Sequence, residues 1–184
     1  CSSGFTVTIS NCHVEENVIV GYNKDQSMIG SFAGRVNGTI ENCTSYATVY
    51  GIDYVGGILG ARDHSLGKCL VESCTFGGTV EATGQHAGGI AGGGYSNTTA
   101  PNARRIFIND CMVTGNVTGE DKIGGILGGD SISAQVWNAY TFHNNTFLGK
   151  IRATTSGAYI GGIIGYYHSL NKWDDISGNY FSAS

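Results

Sequence analysis

"GGILG" stands at residues 56–60 and again at 124–128, with "GGIAG" at 88–92, "GGIIG" at 161–165 and a degraded copy, "GSFAG", at 30–34. A glycine phrase recurring at this interval is the mark of stacked repeats, and it decides the fold before any local propensity is weighed. A second phrase precedes each copy: "ISNC" (9–12), "IENC" (40–43), "VESC" (71–74) and "INDC" (108–111), then the weaker "FHNN" (142–145) and "ISGN" (176–179). Their fourth positions are 31, 31, 37, 34 and 34 residues apart, so repeat units cover nearly the whole chain.

Counting onward from that fourth position exposes a period of two. Two places later stand Val14, Ser45, Phe76, Val113 and Phe147. Six places later stand Val18, Val49, Val80, Val117 and Ile151. Between them, at the fifth place, are the polar residues Asn17, Thr48, Thr79, Asn116 and Lys150. This alternation describes a strand with one buried face. After a turn of variable length, Ile29, Val55, Ala87, Ile123 and Ile160 lead into the glycine phrase, where Phe32, Ile58, Ile90, Ile126 and Ile163 form a second inward column. Asn11, Asn42, Ser73, Asp110 and Asn144 fall at a corner, and most of these residue types tolerate left-handed backbone.

A single unit cannot bury its apolar face, but units stacked about 4.8 Å apart make a continuous core. The expected fold is therefore all-β: a right-handed parallel β-helix (β-solenoid) of five to six rungs with three short strands per rung. The expected units are about 5–38, 39–67, 68–104, 105–135 and 136–171, with a partial unit at 172–184, in one repeat domain spanning 1–184. The glycines read as architectural. "GGILG" lacks the Lys-Ser/Thr of a phosphate-binding loop, and no helix follows it.

The "VGGILG" stretch, preceded by the alternating "GNVTG" (115–119), resembles the GLUG repeat. That family occurs in large bacterial surface proteins and in non-catalytic regions of immunoglobulin-A-specific metallopeptidases. The resemblance implies an exposed solenoid without catalytic residues of its own. Ile stands where the family more often has Leu, and the cysteine column is unusual for it.

The remaining residues limit the chemistry the chain can perform. The 184 residues carry a net charge of −4 with 13% charged side chains, which excludes a basic nucleic-acid surface. No apolar run is long enough for a membrane span. Cys12, Cys43, Cys74 and Cys111 share one place in successive units and are expected inward and reduced. Cys1 and Cys69 fall outside that column. "CSSG" at the start would suit a lipid-bearing cysteine, though a cut within a longer solenoid is the favoured expectation. Glu41, Glu72, Glu81, Asp53 and Asp121 scatter over different places in the unit, Asp174 and Asp175 would face opposite ways, and the histidines at 13, 64, 86, 143 and 168 do not align. The expectation is no enzyme, no catalytic or metal site and no cofactor.

Ligand-binding expectations fall on the variable segments between the glycine phrase and the next corner, which hold Tyr95, Trp137, Tyr140, Tyr166, Tyr167 and Trp173. Amphipathic aromatics there could stack on sugars or anchor a partner. Asn37, Asn42, Asn97, Asn116 and Asn144 head glycosylation sequons. The functional expectation is a non-enzymatic extracellular or cell-surface module: a stalk, adhesin or fibre subunit. Its partners would be neighbouring β-helix domains or further copies stacked end to end, with a glycan or host-surface protein as ligand, and no nucleic acid. The alternatives are a carbohydrate-binding or carbohydrate-cleaving β-helix acting through the aromatic loops, and an accessory region of a large secreted peptidase.

Overall fold

The structure, a computed structural model, describes residues 7–23, 25–62, 67–94, 104–130, 138–167 and 175–182. These residues form 26 short strands, and the strand pairings are parallel throughout. The chain is a β-solenoid. None of the described residues forms a helix long and apolar enough to cross a membrane.

Five ladders run along the axis. Ladder one stacks Val7–Ser10, Gly38–Glu41, Gly67–Glu72, Arg104–Asn109, Asn138–His143 and Asp175–Ser177. Ladder two stacks His13–Val14, Thr44–Ser45, Thr75–Phe76, Met112–Val113, Thr146–Phe147 and Tyr180–Phe181. Ladder three holds Ile19–Val20, Thr48–Gly51, Thr79–Ala82, Asn116–Gly119 and Ile151–Ala153. Ladder four holds Val55–Gly56, Gln85–Gly88, Asp121–Gly124 and Ile160–Gly161, extended by a bridge from Ile29 to Val55. Ladder five holds Ala33–Val36, Leu59–Arg62, Ala91–Gly94, Leu127–Asp130 and Ile164–Tyr166.

The three strands expected per rung are present as three faces, two of which are broken once. A kink splits the second face into ladders two and three, and the glycine phrase splits the third into ladders four and five. The first corner lies where the sequence placed it. Asn11, Asn42, Ser73, Asp110 and Asn144 have φ of 55, 52, 53, 53 and 55°, and Gly178 completes the column at 65°.

The inward columns form one core. Ile40, Val71, Ile108 and Phe142 line it from ladder one, Phe76, Val113 and Phe147 from ladder two, and Val49, Val80 and Val117 from ladder three; all are fully buried. Ile58, Ile90 and Ile126 close the opposite side. Each such side chain contributes roughly 1.5–3 kcal/mol of transfer free energy.

The first unit departs from the expected alignment. Val20, rather than Val18, pairs with Val49, and Ile19 pairs with Thr48. Val18 is 39% exposed. Asn17, at φ 65°, turns the backbone just before ladder three, and two extra residues are taken up there. The inward valine and the outward polar residue expected at 18 and 17 are therefore displaced by two places.

The glycine phrase is explained by close approach of backbone. A Cβ on Gly56, Gly88, Gly124 or Gly161 would lie 1.8–2.0 Å from the carbonyl oxygen three residues ahead. A Cβ on the second glycine would strike the ladder-two side chain of the following rung: Phe76 for Gly57, Val113 for Gly89, Phe147 for Gly125 and Phe181 for Gly162. The degraded copy fits the same rule. Ser31 replaces the second glycine, and by register the side chain it faces is Ser45, the smallest in its column after Val14, Phe76, Val113 and Phe147.

Gly125→Ala is expected to cost about 3 kcal/mol or more through forced overpacking. Gly157→Ala, where nothing lies within 4 Å but φ is 81°, should cost only about 1–2 kcal/mol of backbone strain. Denaturant unfolding of the two variants checks this, and equal costs would show that the phrase is not sterically required.

Candidate functional site

Two features outside the plain apolar core combine polar side chains with defined geometry. The first is the column just after the first corner. Cys43, Cys74 and Cys111 are buried, while Cys12 is exposed at the open end of the stack; these four and Cys69 are free thiols. Each buried thiol reaches two carbonyls. Cys43 Sγ approaches the Glu41 oxygen at 3.2 Å and the Ile9 oxygen at 3.8 Å, Cys74 those of Glu72 and Ile40 at 3.3 and 3.6 Å, and Cys111 those of Asn109 and Val71 at 3.2 and 3.7 Å.

Above Cys111 the column changes residue and keeps its pattern. Asn145 Nδ2 donates to the Ile108 carbonyl at 2.6 Å, and its Oδ1 accepts the Cys111 N–H at 3.0 Å. Asn179 repeats this one rung on, donating to Phe142 and accepting the Asn145 N–H at 3.0 Å. The amides bridge rungs where thiols made weaker contacts, which is why a buried polar residue such as Asn145 is tolerated in the core.

Burial and thiol–thiol contacts set the ionisation of this column. Burial, before any other influence, raises the thiols of Cys43 and Cys111 above their ordinary range, whereas the hydrogen bond from Cys111 lowers that of Cys74. Burial also pushes Cys69 from 9.0 up to about 12, partly offset by the Arg62 guanidinium nearby. A protonated, buried thiol is neither nucleophile nor metal ligand. Among the described residues, no three His, Cys, Asp or Glu side chains group so as to hold a metal ion.

The second feature is the corner between the second and third faces. Here Met28, Tyr54, His86 and Lys122 occupy equivalent places with φ of 60, 57, 64 and 54°. Bulky residues rarely adopt such backbone. The corner is held by the last glycine of the phrase one rung further on: a Cβ on Gly92 would meet Tyr54 carbonyl carbon at 2.3 Å, and one on Gly128 would meet the His86 carbonyl carbon at 2.6 Å. Tyr54 and His86 stack in parallel, with centroids 4.4 Å apart and planes 5° apart. Lys122 Nζ donates to Gln85 Oε1 at 2.8 Å and lies 5.4 Å from the Tyr166 ring centroid. Tyr159 tilts against Tyr166 at 5.0 Å. Asp53 Oδ1 accepts the Gln85 N–H at 2.7 Å, and Asp121 Oδ1 accepts that of Tyr159 at 2.8 Å. Asp53, Tyr54, Gln85, His86 and Lys122 line a shallow cleft of about 340 Å³. Stacked rings and the hydrogen bonds of Asp53, Gln85 and Lys122 hold the corner in place.

The structure places the sequence candidates unevenly. Tyr166 joins this corner, and Tyr167 is exposed beside it. The backbone of Tyr140 is in register with Ile106 in ladder one. Tyr95, Trp137, Trp173 and Asn97, with Cys1, His64, His168 and Asp174, lie outside the described residues. Of the sequons, Asn42 and Asn144 are exposed at the first corner, Asn116 is exposed on ladder three, and Asn37 is partly buried. Glu41 and Glu72 are register partners on neighbouring rungs. Tyr54, His86 and Lys122 carried no sequence signal, because their residue types do not announce left-handed backbone.

No protein-family model matches the chain, and no curated protein does. Among solved structures it is similar to one described as a putative immunoglobulin A1 protease from Bacteroides ovatus, with a TM-score of 0.64 and 20% identity over 96% of this chain. The chain spans 60% of that protein's length. At this identity the likeness shows a shared fold.

Two outcomes follow from the polar column and its neighbour. Asn145→Leu is expected to destabilise by about 3 kcal/mol, because it strands the Cys111 N–H and the Ile108 carbonyl in the core; Asn145→Cys, which restores the thiol pattern, should cost less than half as much by urea unfolding. The folded pKa of Cys69 stands above its unfolded value, so its contribution to stability is complete below pH 9 and is lost as pH rises through about 12. The stability difference between the native chain and Cys69→Ala should therefore narrow from pH 8 to pH 11, and a constant difference would contradict the assignment.

Proposed function

We propose that the chain is a non-enzymatic extracellular solenoid module, a rigid structural or adhesive segment whose rungs continue into neighbouring β-helix turns. One observation carries this reading: five ladders keep their strand pairing along the stack, and among the described residues the terminal rungs expose apolar side chains at inward places. Val7 at one end is 49% exposed, and Ile160 and Phe181 at the other are 52 and 48% exposed, whereas Ile106, Ile123 and Phe147, at the equivalent places in the middle rungs, are buried. Open parallel strands offer unpaired N–H and C=O groups to whatever stacks next.

Within this reading, the GLUG-like phrase supports a place in a large surface protein. The likeness to the Bacteroides ovatus structure favours one version of it, an accessory region of a secreted peptidase, with any hydrolysis performed elsewhere in the longer protein.

Hydrogen exchange on the natural full-length protein and on the isolated 184-residue chain tests the proposal. Amides of Val7–Ser10 and Tyr180–Phe181 should exchange at least tenfold more slowly in the natural protein, where neighbouring turns cover them. Equal rates would remove the stacking role. Hydrolysis of a protein or polysaccharide by the isolated chain would overturn the non-enzymatic assignment.

A further inference from the structure

The kink that divides the second face leaves a groove on the outside of the solenoid. It runs across four successive units as a shallow, open depression of about 380 Å³. Four rungs at about 4.8 Å give it a length of roughly 14 Å. Its floor is Gly77, Gly78 and Gly115. A Cβ on Gly78 would lie 1.9 Å from the Ala47 oxygen and one on Gly115 2.1 Å from the Gly78 oxygen. The floor therefore cannot carry side chains, and the concavity is built into the fold.

One wall is aromatic. Tyr46 is 41% exposed, and its ring lies over Gly77, where a Cβ would meet Cδ1 and Cε1 at 2.6 Å. His13 packs against it with centroids 5.7 Å apart at 57°, which fixes the ring's orientation. Along the rest of the groove stand the hydroxyls of Thr48, Thr79 and Thr114 and the amide of Asn116, with Glu16 at one end.

This chemistry selects among ligands. An extended peptide would need unpaired backbone to add a strand. Here the floor is already paired between rungs: Gly77 N–H donates to Ser45, Thr79 N–H to Ala47, Thr114 N–H to Phe76 and Asn116 N–H to Gly78, at 2.9–3.1 Å. Among the described residues that line the groove none is a cation, Lys150 lying one rung beyond Asn116, and its one ionisable acid repels anions. What remains is an aromatic platform flanked by hydroxyl and amide groups that donate and accept and by a carboxylate that accepts. We propose that this groove binds a neutral oligosaccharide, with a sugar ring on Tyr46 and its hydroxyls bonded to Thr79, Asn116 and Glu16. The site is separate from the aromatic loops and from the second corner.

The test uses the chain produced without N-glycosylation, so that Asn116 is bare, against neutral hexasaccharides of glucose, mannose and N-acetylglucosamine by titration calorimetry. At least one is expected to bind. Tyr46→Ala should weaken it tenfold or more, Tyr46→Phe should keep it within about threefold, and Thr79→Trp, which fills the groove from an outward position, should abolish it. Unchanged thermal unfolding would show that each variant is folded, and a variant that fails this check is replaced by Asn116→Ala, expected to weaken binding about tenfold. The proposal is overturned if no neutral hexasaccharide binds, if binding is indifferent to Tyr46→Ala and Thr79→Trp, or if only peptides or acidic polymers bind in a manner sensitive to those changes.

Discussion

Everything in this molecule depends on how closely successive turns of backbone approach one another at the third face. Parallel strands in register already lie about 4.8 Å apart, and within a rung the chain must also bend sharply between ladders four and five. The bend brings the carbonyl of Leu59, Ala91, Leu127 or Ile164 to within 2.0 Å of where a side chain would begin on the first glycine. Only hydrogen fits there. The space so created admits the ladder-two side chain of the next rung, and with it the packing of Phe76 and Phe147 against the centre. The apolar columns stabilise the solenoid, but the glycines allow them to meet.

Much of this was legible in the sequence because it is written in residue size and period. Alternation identified the inward valines of the middle rungs, and Asn, Asp and Ser marked the first corner, where φ is positive at every copy. The second corner was illegible. Tyr54, His86 and Lys122 hold the same backbone, but the glycines that crowd it, Gly92 at Tyr54 and Gly128 at His86, lie one rung away, where a reading along the chain does not connect them. The first unit misled for a related reason: alternation counts places from the cysteine and cannot register the two residues absorbed near Asn17. The role of Asn145 and Asn179 was likewise hidden, since an amide in an apolar column looks like decay of the repeat until its hydrogen bonds are seen.

The candidate sites divide in the same way. Tyr166 belongs to a corner held by stacked rings and by the hydrogen bonds of Asp53, Gln85 and Lys122. Tyr46, which no motif singled out, stands over a floor that cannot carry side chains and beside groups that still have hydrogen-bonding capacity. Stacked repeats make this contrast general. Inward positions are fixed by packing, and outward positions acquire a function only where the backbone recedes enough to leave a concavity.

The pairing of each second glycine with the side chain that follows it bears on how such a chain can grow. Gly57 belongs with Phe76, Gly125 with Phe147, and Ser31 with Ser45. A gene duplication that breaks between a glycine phrase and the next corner phrase would set a serine under a phenylalanine, or a glycine under a serine. The first leaves a clash and the second a void. Duplications that carry the two phrases together escape both, so the heritable unit of this solenoid straddles the boundary between one turn and the next.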